Sequence, residues 1–241
     1  MLLTGKKALI TGGNRGIGFA IAKKFLALGA KVVLAGRDVC ALKDAAERLG
    51  DGAQFVCMDM RQVASFPEKI ADAAMLLGGL DVVINNAGVV PASDRQGIFC
   101  LTEEDWDLAM DTNLKGVFFL CRDAAKYMLD NGIRGRMVNI CSNTAFSPTT
   151  MAYGASKWGV RGLTMGLGRL LARQGILLNG IAPGPTSTRM MFAEDGETFL
   201  RKDIPIGRYS YPEEIASLAA FLASDEVSNL AGEVIVADGG E

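Results

Sequence analysis

Histidine is missing altogether from the 241 residues. The chain therefore builds no Ser-His-Asp triad, no Cys-His pair and no histidine metal site, and proton transfer falls to Tyr, Lys, Asp, Glu, Cys or water. Cysteine is scarce: Cys40, Cys57, Cys100, Cys121 and Cys141 are odd in number, scattered and free of C-x-x-C spacing. That pattern speaks against a disulfide framework or a zinc site and fits a reducing compartment. An excess of one charge is also absent, since 25 basic and 27 acidic residues leave a net charge of -2. Neither nucleic acid nor an anionic membrane finds a broad electrostatic footprint here. The first residues, MLLTGKKALITGG, break their apolar run with glycine and two lysines, so they offer neither a signal-peptide core nor a membrane span. They read as the start of a mature cytoplasmic protein whose partner is a small molecule and which uses no metal.

What is present is apolar content in a regular order. Hydrophobic residues make up 49%, enough for one sizeable core and a single domain over 1–241. Short apolar runs at 8–10, 31–35, 53–58, 81–84, 136–141, 176–181 and 233–236 are separated by helix-length segments. Two of these segments, 18–28 and 212–223, carry helical apolar spacing, the second opening on Pro212, Glu213 and Glu214. Strands alternating with helices predict a doubly wound α/β domain, a parallel sheet with helices on both faces and ligands at the carboxyl ends of the strands. The segment 186–211 lacks a continuous pattern and predicts a substrate flap beside the site.

The first strand runs into Thr11-Gly12-Gly13-Asn14-Arg15-Gly16-Ile17-Gly18 and then a helix. Glycines there let backbone N–H groups face a pyrophosphate at a helix N-terminus, so Gly12, Asn14, Arg15, Gly16, Ile17 and Gly18 are candidate cofactor contacts. At the end of the second strand an acidic residue would grip a ribose 2'-hydroxyl, but the chain has Gly36-Arg37. Glycine leaves room for a 2'-phosphate, and the Arg37 and Arg15 guanidinium groups supply charged donors for it. The cofactor predicted is NADP.

Downstream lie Asn113, Ser142 and the pair Tyr153 and Lys157, four apart on an apolar-periodic helix. That spacing places both side chains on one face, with an ammonium that favours the phenolate. Taken together, the chain resembles the short-chain dehydrogenases/reductases over essentially its whole length. The matching motifs are the glycine turn, Asp59 after the third strand, Asn85-Asn86-Ala87-Gly88 after the fourth, Asn113, Ser142, Tyr153 to Lys157, Pro183-Gly184 with Thr188, and the closing Ala237-Asp238-Gly239-Gly240. The resemblance implies a Rossmann-type fold and a catalytic set of Asn113, Ser142, Tyr153 and Lys157. In it Tyr153 is general acid in reduction and base in oxidation, and Lys157 holds the nicotinamide ribose. Ser142 bonds the substrate carbonyl oxygen, and Asn113 anchors a relay water. It also implies cofactor contacts from Arg37, Asp59 (adenine), Met60, Asn86, Ala87, Gly88, Tyr153, Lys157, Pro183, Gly184, Thr186 and Thr188 (carboxamide).

The family further implies a homotetramer, with a homodimer as the lesser assembly, built on helices within 105–127 and 153–171. The stretch from Ser142 to Tyr153 is shorter than is common in the family, and Ser210 stands where glycine is frequent. A small ketone, aldehyde or secondary alcohol is the substrate class implied. A 3-oxoacyl-acyl-carrier-protein reductase is the nearest enzymatic alternative; it needs a basic docking surface, for which Arg122, Lys126, Arg134, Arg136, Arg169 and Arg173 are the candidates. A catalytically silent NADP-binding regulator is the alternative from another class. Cys141, beside Ser142, reads as a buried strand-end cysteine in preference to a redox thiol.

Overall fold

The computed structural model describes residues 1–188, 190 and 198–241. Strands and helices alternate as β1 (Lys7–Thr11), α1 (Gly16–Ala27), β2 (Lys31–Gly36), α2 (Val39–Leu49), β3 (Ala53–Cys57), α3 (Phe66–Leu77) and β4 (Val82–Asn85). They continue with α4 (Glu103–Met110), α5 (Gly116–Asp130), β5 (Arg136–Ile140), α6 (Ala152–Ala172), β6 (Leu177–Pro183), α7 (Pro212–Ala223) and β7 (Val234–Ala237). All seven apolar runs become strands, with ends displaced by one or two residues. The sheet order is β3-β2-β1-β4-β5-β6-β7 and every pairing is parallel.

The strands read as continuous apolar runs because both faces are covered. Leu9, Val33, Val83, Met137 and Leu178 enter one core, packed by α3, α5 and α6. Their neighbours Ile10, Leu34, Ile84 and Val138 enter the other, packed by α1, α2 and α7. Fully buried side chains of this size each contribute roughly 1.5–3 kcal/mol, and the set holds the strand ends rigid.

The chain winds outward from β1 to β3 and then crosses to β4 on the other side of β1. Adjacent strands whose connections depart in opposite directions leave a crevice at their carboxyl ends. Thr11 stitches that crevice: its Oγ1 accepts from the N–H groups of Asn86 and Ala87, both at 3.0 Å. Asn86 Nδ2 returns bonds to the carbonyls of Thr11 and Gly12, at 2.9 and 3.2 Å.

Between α4 and α5 the rod does not break. A π-helical turn, Asp111–Lys115, joins them and carries Asn113. Such turns insert one residue into the helical ladder and are frequent at functional sites. Among the described residues, no helix is long and apolar enough to cross a membrane, and no cluster of acidic, cysteine or histidine side chains is placed to hold a metal. Of the segment 186–211, residues 189 and 191–197, which include Met191 and Phe192, lie outside the described residues. The described remainder is tied back by Thr186 pairing with Ser210 and Leu200 with Arg208.

Candidate active site

A cleft of about 1360 Å³ opens over the carboxyl ends of the strands. The glycine turn forms its first wall through Gly12, Asn14, Arg15, Gly16 and Ile17. Here φ is +64° at Gly12 and +52° at Gly16, backbone that a side chain would strain. Gly18 lies under the turn, where a Cβ would come within 2.2 Å of the Gly12 carbonyl and 2.5 Å of Asn86 Nδ2. The turn thus closes onto α1 only because that position has no side chain.

The N-terminus of α1 differs from those of α2 and α4. Asp38 caps α2 by accepting from Ala41 N–H at 3.0 Å, and Thr102 caps α4 by accepting from Asp105 N–H at 3.2 Å. Arg15 supplies no such cap, and the first turn of α1 has no acidic residue. Its leading N–H groups therefore face the cleft without a competing anion, the setting that accepts a pyrophosphate. The residues present fit a dinucleotide.

At the far end of β2, Gly36 and Arg37 line the cleft, and the Arg15 and Arg37 side chains are both exposed. The nearest carboxylate in sequence, Asp38, accepts through Oδ1 from Ala41 N–H as the α2 cap. Asp59 and Met60 form the next part of the wall. Arg61, which the motifs do not mark, donates to both Asp59 oxygens, at 3.3 and 2.8 Å, and holds that carboxyl below the usual carboxylate range. Asn86, Ala87 and Gly88 continue it, and Pro183, Gly184, Thr186 and Thr188 close the opposite side.

The catalytic candidates meet where β5 ends and α6 begins. Lys157 is 5% exposed, and its Nζ donates to the Ile140 carbonyl at 2.7 Å. The same Nζ lies 5.6 Å from the centre of the Tyr153 ring, as the four-residue spacing requires. Ser142 Oγ accepts from Thr144 N–H and Thr144 Oγ1, at 3.2 and 2.9 Å. Its own O–H points to Asn143 Oδ1 at 3.5 Å, a contact long enough to be exchanged for an acceptor in the cleft. Ser142, Tyr153 and Lys157 all line the cleft.

Asn113 stands behind the wall, fully buried. Its Oδ1 accepts from Val89 N–H at 2.8 Å, and its Nδ2 donates to the Val89 carbonyl and to Ser156 Oγ at 2.9 and 3.1 Å. The side-chain amide is consumed in joining the π turn to the segment after β4 and to α6.

The short segment after Ser142 is held against α6. Arg161 stacks 4.0 Å over the Phe146 ring and donates to the Ala145 carbonyl at 3.1 Å, while Trp158 Nε1 donates to the Ser147 carbonyl at 2.9 Å. Phe146, Thr149, Thr150 and Met151 give this end of the cleft a mixed polar and apolar rim.

Cys141 is buried, and burial pushes its thiol up to about 11; Cys121, also buried, is pushed to about 12. At neutral pH the reactive thiolate of such groups is a vanishing fraction. Iodoacetamide on the folded protein at neutral pH is expected to label the exposed Cys40, Cys57 and Cys100 and to spare Cys121 and Cys141. Rapid labelling of Cys141, read by peptide mass spectrometry, would instead make it a reactive thiol.

Comparison with known proteins agrees with this architecture. Residues 12–241 match the family model described as enoyl-(acyl carrier protein) reductase. The chain belongs to the short-chain dehydrogenase/reductase family. It is 36% identical to gluconate 5-dehydrogenase of Gluconobacter oxydans over 247 residues, covering 99% of this chain and 95% of that one. It is 35% identical to the 3-oxoacyl-(acyl-carrier-protein) reductase FabG of Chlamydia muridarum, covering 99% and 98%. Among solved structures it is similar to an actinorhodin polyketide ketoreductase determined with NADPH, at a TM-score of 0.87 and 31% identity, covering 98% of this chain and 96% of that one. Short-chain dehydrogenases/reductases are oxidoreductases that bind a nicotinamide cofactor, and this chain carries that fold.

Proposed function

We propose that this member of the family is an NADP(H)-dependent oxidoreductase acting on a small ketone or aldehyde, or on the matching secondary alcohol. The observation that carries the reading is the meeting of Ser142, Tyr153 and Lys157 at one end of a dinucleotide-sized cleft. A bound nicotinamide supplies the hydride and accepts it back. As negative charge grows on the carbonyl oxygen, the O–H groups of Ser142 and Tyr153 stabilise it, and Tyr153 gives up its proton. In oxidation Tyr153 takes the proton from the alcohol. Lys157, pinned to Ile140, holds the ribose and faces the Tyr153 ring. Asn113, whose side chain keeps the π turn and the 89 segment in register with α6, would anchor the relay water.

Arg15 and Arg37, with Gly36 between wall and solvent, support NADP over NAD. Thr188, Thr186, Pro183 and Gly184 would meet the nicotinamide, and Asp59 and Met60 the adenine. The residues 1–241 act as one domain, with 186–211 as its substrate flap. Five free cysteines suit the cytoplasm. Exposed Phe99, Trp106 and Leu170 on and beside α4 and α6 suit burial between subunits of a homotetramer or homodimer, which light scattering would measure.

Similarity to a FabG and the family model's description favour one second reading, 3-oxoacyl-acyl-carrier-protein reduction. Its docking surface is weakened, because Arg122 pairs with Asp123, Lys126 with Asp130 and Arg136 with Asp225. A silent regulator is disfavoured by the assembled Ser142, Tyr153 and Lys157. A panel of ketones, sugars and acyl thioesters with NADPH, followed at the nicotinamide absorbance, tests the proposal. Turnover of a simple carbonyl supports it. Turnover only of carrier-bound thioesters, falling steeply with salt, would replace it with the second reading, and no turnover would favour the regulator.

A further inference from the structure

The helix that carries Tyr153 begins without a cap of its own. Met151, its N-cap residue, brings no side-chain acceptor to the first turn of α6. The acceptor comes from 58 positions earlier: Asp94 Oδ1 accepts from Ala152 N–H and Asp94 Oδ2 from Tyr153 N–H, both at 2.8 Å. Asp94 is only 6% exposed, so this carboxylate has been withdrawn from water to hold two N–H groups of one helix turn. A carboxylate at a helix N-terminus also meets the positive end of the helix dipole.

The turn that presents Asp94, Ser93–Gln96, is itself fixed on both sides. Ser93 N–H and Oγ both donate to Asp105 Oδ2 in α4, and Arg95 Nη2 donates to the Met190 carbonyl at 2.8 Å, two residues beyond Thr188. Three consecutive side chains thus tie α4, the start of α6 and the segment after β6 to a single turn.

We propose that Asp94 is a positioning residue for Tyr153, setting where the phenol enters the cleft by clamping the first turn of α6. The inference rests on Tyr153 being the acid and base of the reaction. Loss of the clamp frays the first turn, which contains Tyr153, but leaves Lys157 in place. Lys157 sits one turn further on, and its Nζ is anchored independently to Ile140. Asp94 therefore affects proton transfer and spares the ribose contact.

The test uses the whole chain with Asp94→Ala, Asp94→Asn and Tyr153→Phe, NADPH, and the best carbonyl substrate of the panel. Fluorescence titration of NADPH counts competent sites and measures Kd; kcat is expressed per site and measured again with NADPH deuterated at the transferred C4 position. Asp94→Ala is expected to lower kcat per site roughly 10- to 100-fold, the scale of an ångström-level misplacement. Kd for NADPH should stay within about threefold, with a larger deuterium isotope effect on kcat as the chemical step becomes limiting. Asp94→Asn, which keeps one acceptor oxygen, should fall between Asp94→Ala and wild type. If Asp94→Ala does not fold, Asp94→Asn alone carries the test. Wild-type kcat per site in either folded variant overturns the proposal, as does a loss of activity matched by loss of NADPH sites. If Tyr153→Phe keeps its turnover, the assignment of Tyr153 fails, and this inference falls with it.

Discussion

Tyr153→Phe is expected to lower turnover by roughly 10²- to 10⁴-fold, the range over which a positioned acid or base contributes. The substitution removes the one phenolic O–H at the reacting end of the cleft and retains the ring that faces Lys157. Binding of NADPH should therefore be nearly unchanged, because the Lys157 Nζ anchored on Ile140 and the glycine turn over α1 are untouched. A fall in kcat with Kd for NADPH preserved identifies an interaction made in the transition state and not in the ground state. Lys157→Ala makes the contrasting case. The same ammonium is proposed to hold the ribose and faces the tyrosine, so both cofactor affinity and kcat should fall. Near-normal turnover of the phenylalanine variant would show that the proton comes from elsewhere.

The second large effect concerns cofactor choice. The wild type should prefer NADP over NAD by roughly 10- to 1,000-fold in kcat/KM. A hydrogen bond to a charged group contributes about 1.5–3 kcal/mol, lowered here because Arg15 and Arg37 are exposed, and each 1.4 kcal/mol is about tenfold. Gly36→Asp combined with Arg37→Leu should reverse the preference, adding repulsion against the 2'-phosphate while removing its donor. The fold permits the change: a Cβ on Gly36 would meet Leu42 at an ordinary 3.5 Å. Titration of both cofactors against both proteins measures the outcome. Equal use of NAD by the wild type, or no shift in the double variant, would mean that the two guanidinium groups face only solvent.

The two predictions draw on different levels of organisation. Gly36-Arg37 and the Tyr153 to Lys157 spacing are local, and local patterns survive the passage from sequence to structure. A strand that is apolar on both faces, a glycine turn before a helix, and two side chains one helical turn apart are each specified by neighbours within a few residues. That is why seven strands, the helices at both ends of the chain and the glycine turn before α1 were legible from the residues alone. The buried state of Cys141 was legible for the same reason, being the continuation of an apolar run.

Other features have no local signature. Thr11 lies inside the glycine-turn motif, but its partners, the N–H groups after β4, emerge only when the loops are placed. The helical pattern around Asn113 does not reveal that it sits in a π turn with its amide consumed by Val89 and Ser156. Of the basic residues named as a docking surface, Arg122 and Lys126 meet carboxylates one and four residues away, whereas Arg136 meets Asp225 only across the fold.

By itself, then, the sequence determined the strand and helix alternation and the Tyr153 and Lys157 spacing, which short-range periodicity encodes, while its ordered set of motifs carried the resemblance to the family. The tertiary structure alone decided that Asp94 caps the helix of Tyr153 and that Asn113 stands behind the cleft wall. It also decided that Arg161 and Trp158 hold the segment after Ser142 at the cleft rim. Each of these is a contact whose energy depends on burial and on hydrogen-bond geometry between separate segments, and neither quantity exists until the sheet and its helices have packed.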